Sequence, residues 1–309
     1  MVFTVDDIWQ GKTIKQYLFG ELKLTRAQVT ALKKDPLGIL YNGSHATVRQ
    51  IMTKGGLLEI SLGDNEQSIN REIEPVDLPF GVVYEDEWLI IADKPYNMPV
   101  HPSYNHRNDS LANAVAYYYM KHGQVSAFRA VNRLDRDTSG LVIVAKDRMT
   151  ANRLSVAIGN GNVKKEYLAI LEGRLTGEGR IESYIKRERE SIITRISCSE
   201  GIASEYALTT YRSVYYSEER DITAVIASPV TGRTHQLRVH FASIGHGIAG
   251  DTLYAHSSPY IERQALHAYS LEFVHPHTGK TMKIIGDIPE DIKKALLKEG
   301  FDDFKKSVL

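Results

Sequence analysis

The chain has 309 residues, of which 42% are hydrophobic and 25% charged, with a formal net charge of zero. That length allows two domains and a sizeable core, and the composition is that of an ordinary globular protein. One cysteine, Cys198, excludes a disulfide framework and a cysteine-based metal site. No apolar run approaches the ~20 residues needed to span a bilayer. The N-terminus, MVFTVDDIWQ, is acidic and lacks a signal-peptide core, so a cytoplasmic protein is expected.

The neutral total hides a segregation of charge. Residues 10–54 hold Lys12, Lys15, Lys23, Arg26, Lys33, Lys34, Arg49 and Lys54 against only Glu21 and Asp35. Residues 64–93 are acidic, with Arg71 their only basic residue. A basic module followed by an acidic stretch can present a phosphate-binding face at zero net charge, although charge alone fits two solvated surfaces equally well.

Residues 12–35 read as two helices. Ile14, Tyr17, Leu18 and Leu22 fall at helical spacing, and Thr25 caps a second helix with Val29 and Leu32 on its inner face. Asn42-Gly43 marks a hairpin, followed by VRQIM and LLEISL as short strands. Residues 64–78, polar, acidic and containing Pro75, read as a linker or edge segment. From Pro79 the pattern becomes strand, acidic turn, strand, up to Lys94-Pro95. Asp109 or Ser110 caps a helix beginning at Leu111, whose tyrosines at 117–119 are expected to pack on the core.

The stretch VNRLDRDTSGLVIVAKD, residues 131–147, joins a charged turn to an apolar strand from Leu141 to Ala145. Such a junction can fix a carboxylate at the edge of a cleft, and Asp135 and Asp137 are the candidates. A helix over about 148–158 follows, then Lys164 to Tyr167 leading into one strand, LAILEG, a surface hairpin within 174–200 and an antiparallel pair from EYALTTYRSVYY and DITAVIASPV. TGRTHQLRVHFASIG is a turn passing into a helix, and the chain closes with a hairpin turning at His277–Gly279 and a helix after Pro289.

Other chemistries fit poorly. GHGIAG at 245–250 follows an apparent helix rather than a strand, so its glycines read as turn residues and not as a nucleotide cradle. His235, His240 and His246 are not spaced to share a helix face, which argues against a metal. No G-x-S-x-G elbow is present, and Ser139 reads as a turn residue. An aspartate with basic partners remains, with Arg133, Arg136, Arg233 and Arg238 available to offset its desolvation. Spacing alone fits a structural ion pair as well as a nucleophile or base.

Five stretches carry a resemblance. They are EDEWLIIADKP…HPS at 85–103, RLDRDTSGLVIVAKD at 133–147, KKEYLAILEG at 164–173, TGRTHQLRVHFASIGHGIAGDTLY at 231–254 and RQALHAYSLEFVHPHTG at 263–279. In this order they resemble the RluA-type RNA pseudouridine synthases. The first 63 residues, with a helix pair and the YNG turn, resemble the S4 RNA-binding domain. The resemblance implies an α+β fold: a mixed, largely antiparallel sheet for residues 79–309, a linker at 64–78 and a small N-terminal α/β S4-like domain at 1–63.

It also implies isomerisation of uridine to pseudouridine in RNA, without a cofactor or metal. Asp135 corresponds to the nucleophilic aspartate, Tyr167 to the active-site tyrosine and Arg233 to the arginine that pairs with the carboxylate. Arg133 corresponds to an arginine that fills the space left by a flipped base, and Asp137 becomes a local structural residue. Asn132 stands where the family commonly has histidine. Lys12, Lys15, Arg26, Lys33 and Lys34 are the expected RNA-binding cations of the N-terminal module. The expected partner is structured RNA, ribosomal before transfer RNA, with no membrane, and the chain is expected to be a monomer. Two other classes, a uracil-releasing N-glycosidase and a non-catalytic RNA-binding factor, fit the same residues less well.

Overall fold

A computed structural model describes residues 2–61, 73–188, 191 and 193–308. The N-terminal module contains β1 (Val2–Thr4), α1 (Ile14–Gly20), α2 (Arg26–Lys34), β2 (Ile39–Tyr41), β3 (Ser44–His45) and β4 (Leu57–Ile60). Both helices start in reciprocal capping boxes, Thr13 with Gln16 and Thr25 with Gln28, which satisfy otherwise orphaned backbone donors. The strands form one antiparallel sheet in the order β1-β4-β2-β3. Its hairpin turns through Asn42 and Gly43, both at positive φ. One expectation needs correction: VRQIM contributes only an isolated bridge between Thr13 and Ile51, while β4 pairs with β2 and with β1, a strand too short for a periodicity signal.

The remainder comprises β5 (Gly81–Glu85), β6 (Leu89–Lys94), α3 (Leu111–Lys121), β7 (Ser139–Ala145), α4 (Arg148–Gly159), β8 (Lys164–Glu172), β9 (Glu178–Arg187) and β10 (Arg195–Cys198). It continues with β11 (Glu205–Ser217), β12 (Ile222–Pro229), α5 (Gln236–Ser243), β13 (Leu266–Val274), β14 (Thr281–Ile285) and α6 (Glu290–Val308), which is broken at Leu297 by a φ of 64°. The ten-stranded sheet runs β10-β9-β11-β12-β8-β13-β7-β6-β5, with β14 on β13. Its described neighbours are antiparallel except β13 and β7, which meet in parallel at His267–Ser139 and Ala268–Gly140. The fold is α+β with a mixed, largely antiparallel sheet.

β7 is buried along its whole length because both faces of the sheet are covered there. Val142 and Val144 join Ile90, Ala92 and Leu111 of α3, whereas Leu141 and Ile143 join Ile91 and Leu154 of α4. Gly140 has φ 115°, and a β-carbon on it would lie 2.2 Å from the Ala268 carbonyl oxygen. The parallel seam therefore requires glycine at this position. Ser139 is the first residue of the strand rather than a turn residue, and its Oγ lies 2.9 Å from His267 Nδ1.

α4 joins the two parts of the chain. Met149, at its start, belongs to the apolar cluster of the N-terminal module. Gln28 Nε2 donates to the Arg148 carbonyl at 3.2 Å, and Asn152 Nδ2 to the Lys23 carbonyl at 2.9 Å. Residues 64–72 of the expected linker lie outside the described residues. Its remainder packs on α3, where Asn113 Nδ2 donates to the Glu74 carbonyl at 2.8 Å and Val76 N–H donates to the Asn113 carbonyl at 3.2 Å.

Two buried histidines clamp the sheet. His240 sits between Thr209 and Ser183, and His267 beside Ser139. Burial pulls His240 down to about 4 and, with Arg263 nearby, His267 to about 3. The unfolded chain takes up protons near pH 6.5 where the folded chain does not, so stability falls as pH drops from about 6.5 towards 4. Each histidine contributes at most about 1.4 kcal/mol per pH unit. Urea unfolding at pH 7 and pH 5 should show a larger acid loss for the wild type than for His240→Gln, by roughly 1 kcal/mol. Equal losses would contradict this role of the imidazole.

Candidate active site

Asp135 lies in the turn before β7, where two adjoining cavities of about 280 and 820 Å³ share Arg133, Leu134, Asp135, His235 and Arg238. The turn is held from several sides. Thr138 N–H donates to the Asp135 carbonyl at 3.1 Å, and Gln264 Nε2 donates to Thr138 Oγ1 at 2.7 Å. Arg263 Nη1 donates to the Asp137 carbonyl at 3.1 Å. Beneath them Lys94, wholly buried, donates to the carbonyls of Pro95 and Met98 at 2.8 Å and of Arg136 at 3.1 Å. Burial, aided by Arg263, pulls its ammonium down to about 7.

Asn132 explains its own presence. Its Nδ2 donates to the Leu141 carbonyl at 3.1 Å, and its Oδ1 accepts from Ile143 N–H at 2.8 Å. The amide thus reproduces one donor and one acceptor of a neighbouring strand, and it steadies the chain just before Asp135. Asp137 turns aside to bond Arg136, Nη2 to Oδ2 at 3.0 Å, consistent with a local structural role.

The cation beside Asp135 is Arg238, whose Nη1 donates to Asp135 Oδ2 at 3.1 Å. Its other edge grips Asp251 in a fork, Nε to Oδ2 at 2.6 Å and Nη2 to Oδ1 at 2.8 Å. The expected pairing of Asp135 with Arg233 is therefore corrected. Arg233 lies at the cavity rim, where Nη1 donates to Glu205 Oε1 at 2.6 Å and Nε to the Tyr206 carbonyl at 3.1 Å. The reason is local. Arg233 precedes His235, whose φ of 58° reverses the chain before α5, whereas Arg238 lies on the buried helix face. Asp251 is delivered by the glycine turn at 245–250; a β-carbon on Gly250 would lie 2.3 Å from the Arg263 carbonyl oxygen.

His235 Nδ1 lies 2.7 Å from Tyr254 Oη, which accepts from Arg195 N–H at 2.8 Å. His235 Nε2 is 3.9 Å from Asp135 Oδ2. Tyr167, on β8, lines the smaller cavity with Asp135. Burial and then the Asp135 charge push its hydroxyl above the ordinary tyrosine value, so it stays protonated at neutral pH. Arg133 is exposed along both cavities. Sequence reasoning overlooked Lys94, Asp251, Arg263 and Gln264 as supports. Their only signal was a charged or amide residue within an otherwise apolar or glycine-rich stretch.

The five expected cations of the N-terminal module are spread more widely. Lys15, Arg26 and Lys33 line one groove of about 710 Å³ between α1 and α2, together with Arg49, Phe19 and Thr30. Lys12 instead lies over the Trp9 ring, 4.5 Å from its centroid, and Lys34 is exposed outside that groove. Among the described residues, no group of three His, Cys, Asp or Glu side chains is arranged to hold a metal ion. His246 bonds the Glu172 carbonyl, so the three histidines weighed in the sequence serve separate places.

A carboxylate held by a buried guanidinium, beside a protonated tyrosine in a cleft, is a setting for nucleophilic or general-base chemistry. The family model for RNA pseudouridylate synthase matches residues 88–243. The uncharacterized RNA pseudouridine synthase YjbO of Bacillus subtilis is 37% identical over 93% of this chain and 99% of its own. The ribosomal large subunit pseudouridine synthase D of Escherichia coli K12 is 33% identical over 80% of this chain and 81% of its own. In solved structures, human RNA pseudouridylate synthase domain containing 4 shares the fold at a TM-score of 0.59 and 21% identity, over 70% of this chain and 91% of its own. The chain belongs to the RNA pseudouridine synthase family. It is an isomerase that converts uridine in RNA to pseudouridine.

The two arginines should separate by mutation. Arg238→Met should lower single-turnover conversion by roughly 100-fold or more and reduce the thermal midpoint, because Asp251 is left buried and unpaired. Arg233→Met should cost less than tenfold and leave the midpoint unchanged, as expected of an exposed pair. The opposite order would restore Arg233 as the partner of the carboxylate.

Proposed function

We propose that the chain modifies uridines of ribosomal RNA, with Asp135 as the attacking carboxylate. The observation that carries the reading is the contact of Asp135 with Arg238 at the floor of a cleft that Tyr167 also lines. The bond from uracil N1 to ribose C1′ breaks, Asp135 adds to C1′, and the uracil turns and rejoins through C5. No net oxidation or hydrolysis occurs, so the reaction calls for no cofactor. Tyr167 stacks on the base, and its raised pKa suits a hydroxyl donor better than a phenolate base. The target must leave its stack to reach the carboxylate, and Arg133 at the cleft mouth fills the vacated space.

A ribosomal target is supported by the similarity to relatives such as the ribosomal large subunit pseudouridine synthase D of Escherichia coli K12. We assign residues 1–63 to an S4-like RNA-binding domain and residues 79–309 to the catalytic domain. The groove of Lys15, Arg26, Lys33 and Arg49 gathers cations where an RNA backbone could lie, with no acidic lining residue. Among the described residues no helix is long and apolar enough to cross a membrane. The chain acts as a monomer in the cytoplasm.

Ribosomal RNA labelled with tritium at uracil C5, prepared from cells lacking the gene, provides the assay. The wild type should release tritium, and Asp135→Asn should release none while binding the RNA with affinity within about threefold. Substantial release by Asp135→Asn would overturn the assignment. The triple variant Lys15→Glu, Arg26→Glu, Lys33→Glu should bind more weakly, with a salt dependence of log affinity shallower by roughly two to three units. An unchanged slope would remove the groove from the RNA path.

A further inference from the structure

Lys165 and Tyr167 lie two residues apart on β8, so both point to the same face of the strand, and both line the cavity that holds Asp135. Their neighbours turn the other way: Lys164 pairs with Glu272 at 2.7 Å, and Glu166 Oε2 accepts from Tyr269 Oη at 3.0 Å. The Lys165 ammonium sits over the turn before α5, 3.9 Å from where a β-carbon on Gly232 would be. Among the described residues it has no ion-pair or hydrogen-bond partner. The other cations of the cleft are engaged, Arg238 with two aspartates, Arg233 with Glu205 and Arg263 with Asp291, while Arg133 is exposed at the mouth.

Resting on the reading of Asp135 as the attacking carboxylate, we propose that Lys165 is a further catalytic residue, the cation that stabilises the departing uracil as an anion. When the N1–C1′ bond breaks, its electron pair leaves with the base and spreads over N1, O2 and O4. C1′ is taken up by the Asp135 carboxylate. The base turns, the C5–C6 π pair attacks C1′ and displaces the carboxylate, C5 loses its proton to solvent, and N1 regains one. Charge on the base exists only between cleavage and rejoining, so a fixed ammonium at its carbonyl oxygens favours that interval over the bound substrate. Asp135 and Arg238 lie towards the ribose, Tyr167 beside the base, and Lys165 supplies the remaining charge from the base side. Burial lowers its pKa by penalising the charged form, and an anion formed in the cavity is the partner that would offset that penalty.

The test compares wild type, Lys165→Met and Lys165→Arg under single-turnover conditions, on ribosomal RNA by tritium release from C5, and on the same RNA made with 5-fluorouridine by mass spectrometry of the C5-linked product, where fluorine blocks proton loss and water adds at C6. Fluorine makes the base a better leaving group, so a defect in stabilising it should shrink. Conversion of uridine should fall by about 100-fold in Lys165→Met, with RNA affinity and thermal midpoint unchanged, and Lys165→Arg should recover at least tenfold. On 5-fluorouridine the Lys165→Met defect should shrink to about tenfold or less. A loss below threefold, an equal loss on both RNAs, or no recovery with arginine would overturn the role of Lys165. Absence of turnover by the wild type would instead count against the ribosomal substrate, and retained turnover by Asp135→Asn against the carboxylate.

Discussion

The guanidinium of Arg238, 7% exposed, is the interaction on which the active cleft depends. It is shared between Asp251, itself 2% exposed, and the more open Asp135. A buried charge is tolerated only when it is paired and hydrogen-bonded, so the fork to Asp251 fixes the guanidinium and leaves one edge for Asp135. Asp251 comes from a glycine turn, Arg238 from a helix and Asp135 from the turn before β7. Three distant segments therefore have to fold correctly before the site exists.

The sheet supplies the rigidity this arrangement needs. β7 is gripped by β6 on one side and by the parallel seam to β13 on the other, and glycine at 140 lets that seam close. Lys94 collects the carbonyls of the loop below, and Asn132 ties the chain ahead of Asp135 to the backbone of β7. Such supports hold a carboxylate in one orientation, which matters for chemistry that depends on sub-ångström placement. On this frame Tyr167 and Lys165 share one face of β8 and line the cavity that holds Asp135.

Much of this was legible in the amino acids because it is local. The apolar run of β7, the Asn42-Gly43 hairpin, the caps at Thr25 and Ser110 and the helix after Pro289 all announce themselves within a few residues. The choice between Arg233 and Arg238 did not. Both stand in one charged segment, and only the left-handed residue His235 and the burial of α5 decide which faces the carboxylate. The resemblance to the family carried Asp135 and Tyr167 to the cleft but carried the ion pair to the wrong arginine. β1 escaped because three residues hold too little pattern, and Ser139 was misjudged because its strand partner lies 128 positions away.

The central claim is that the Arg238-bound Asp135 of this chain makes pseudouridine in ribosomal RNA. Mapping pseudouridines at nucleotide resolution, in ribosomal RNA from cells lacking the gene and from cells complemented with wild type or Asp135→Asn, tests it most directly. The account predicts that specific sites vanish with the gene, return with the wild type and stay absent with Asp135→Asn. An unchanged map, or sites restored by Asp135→Asn, would contradict it.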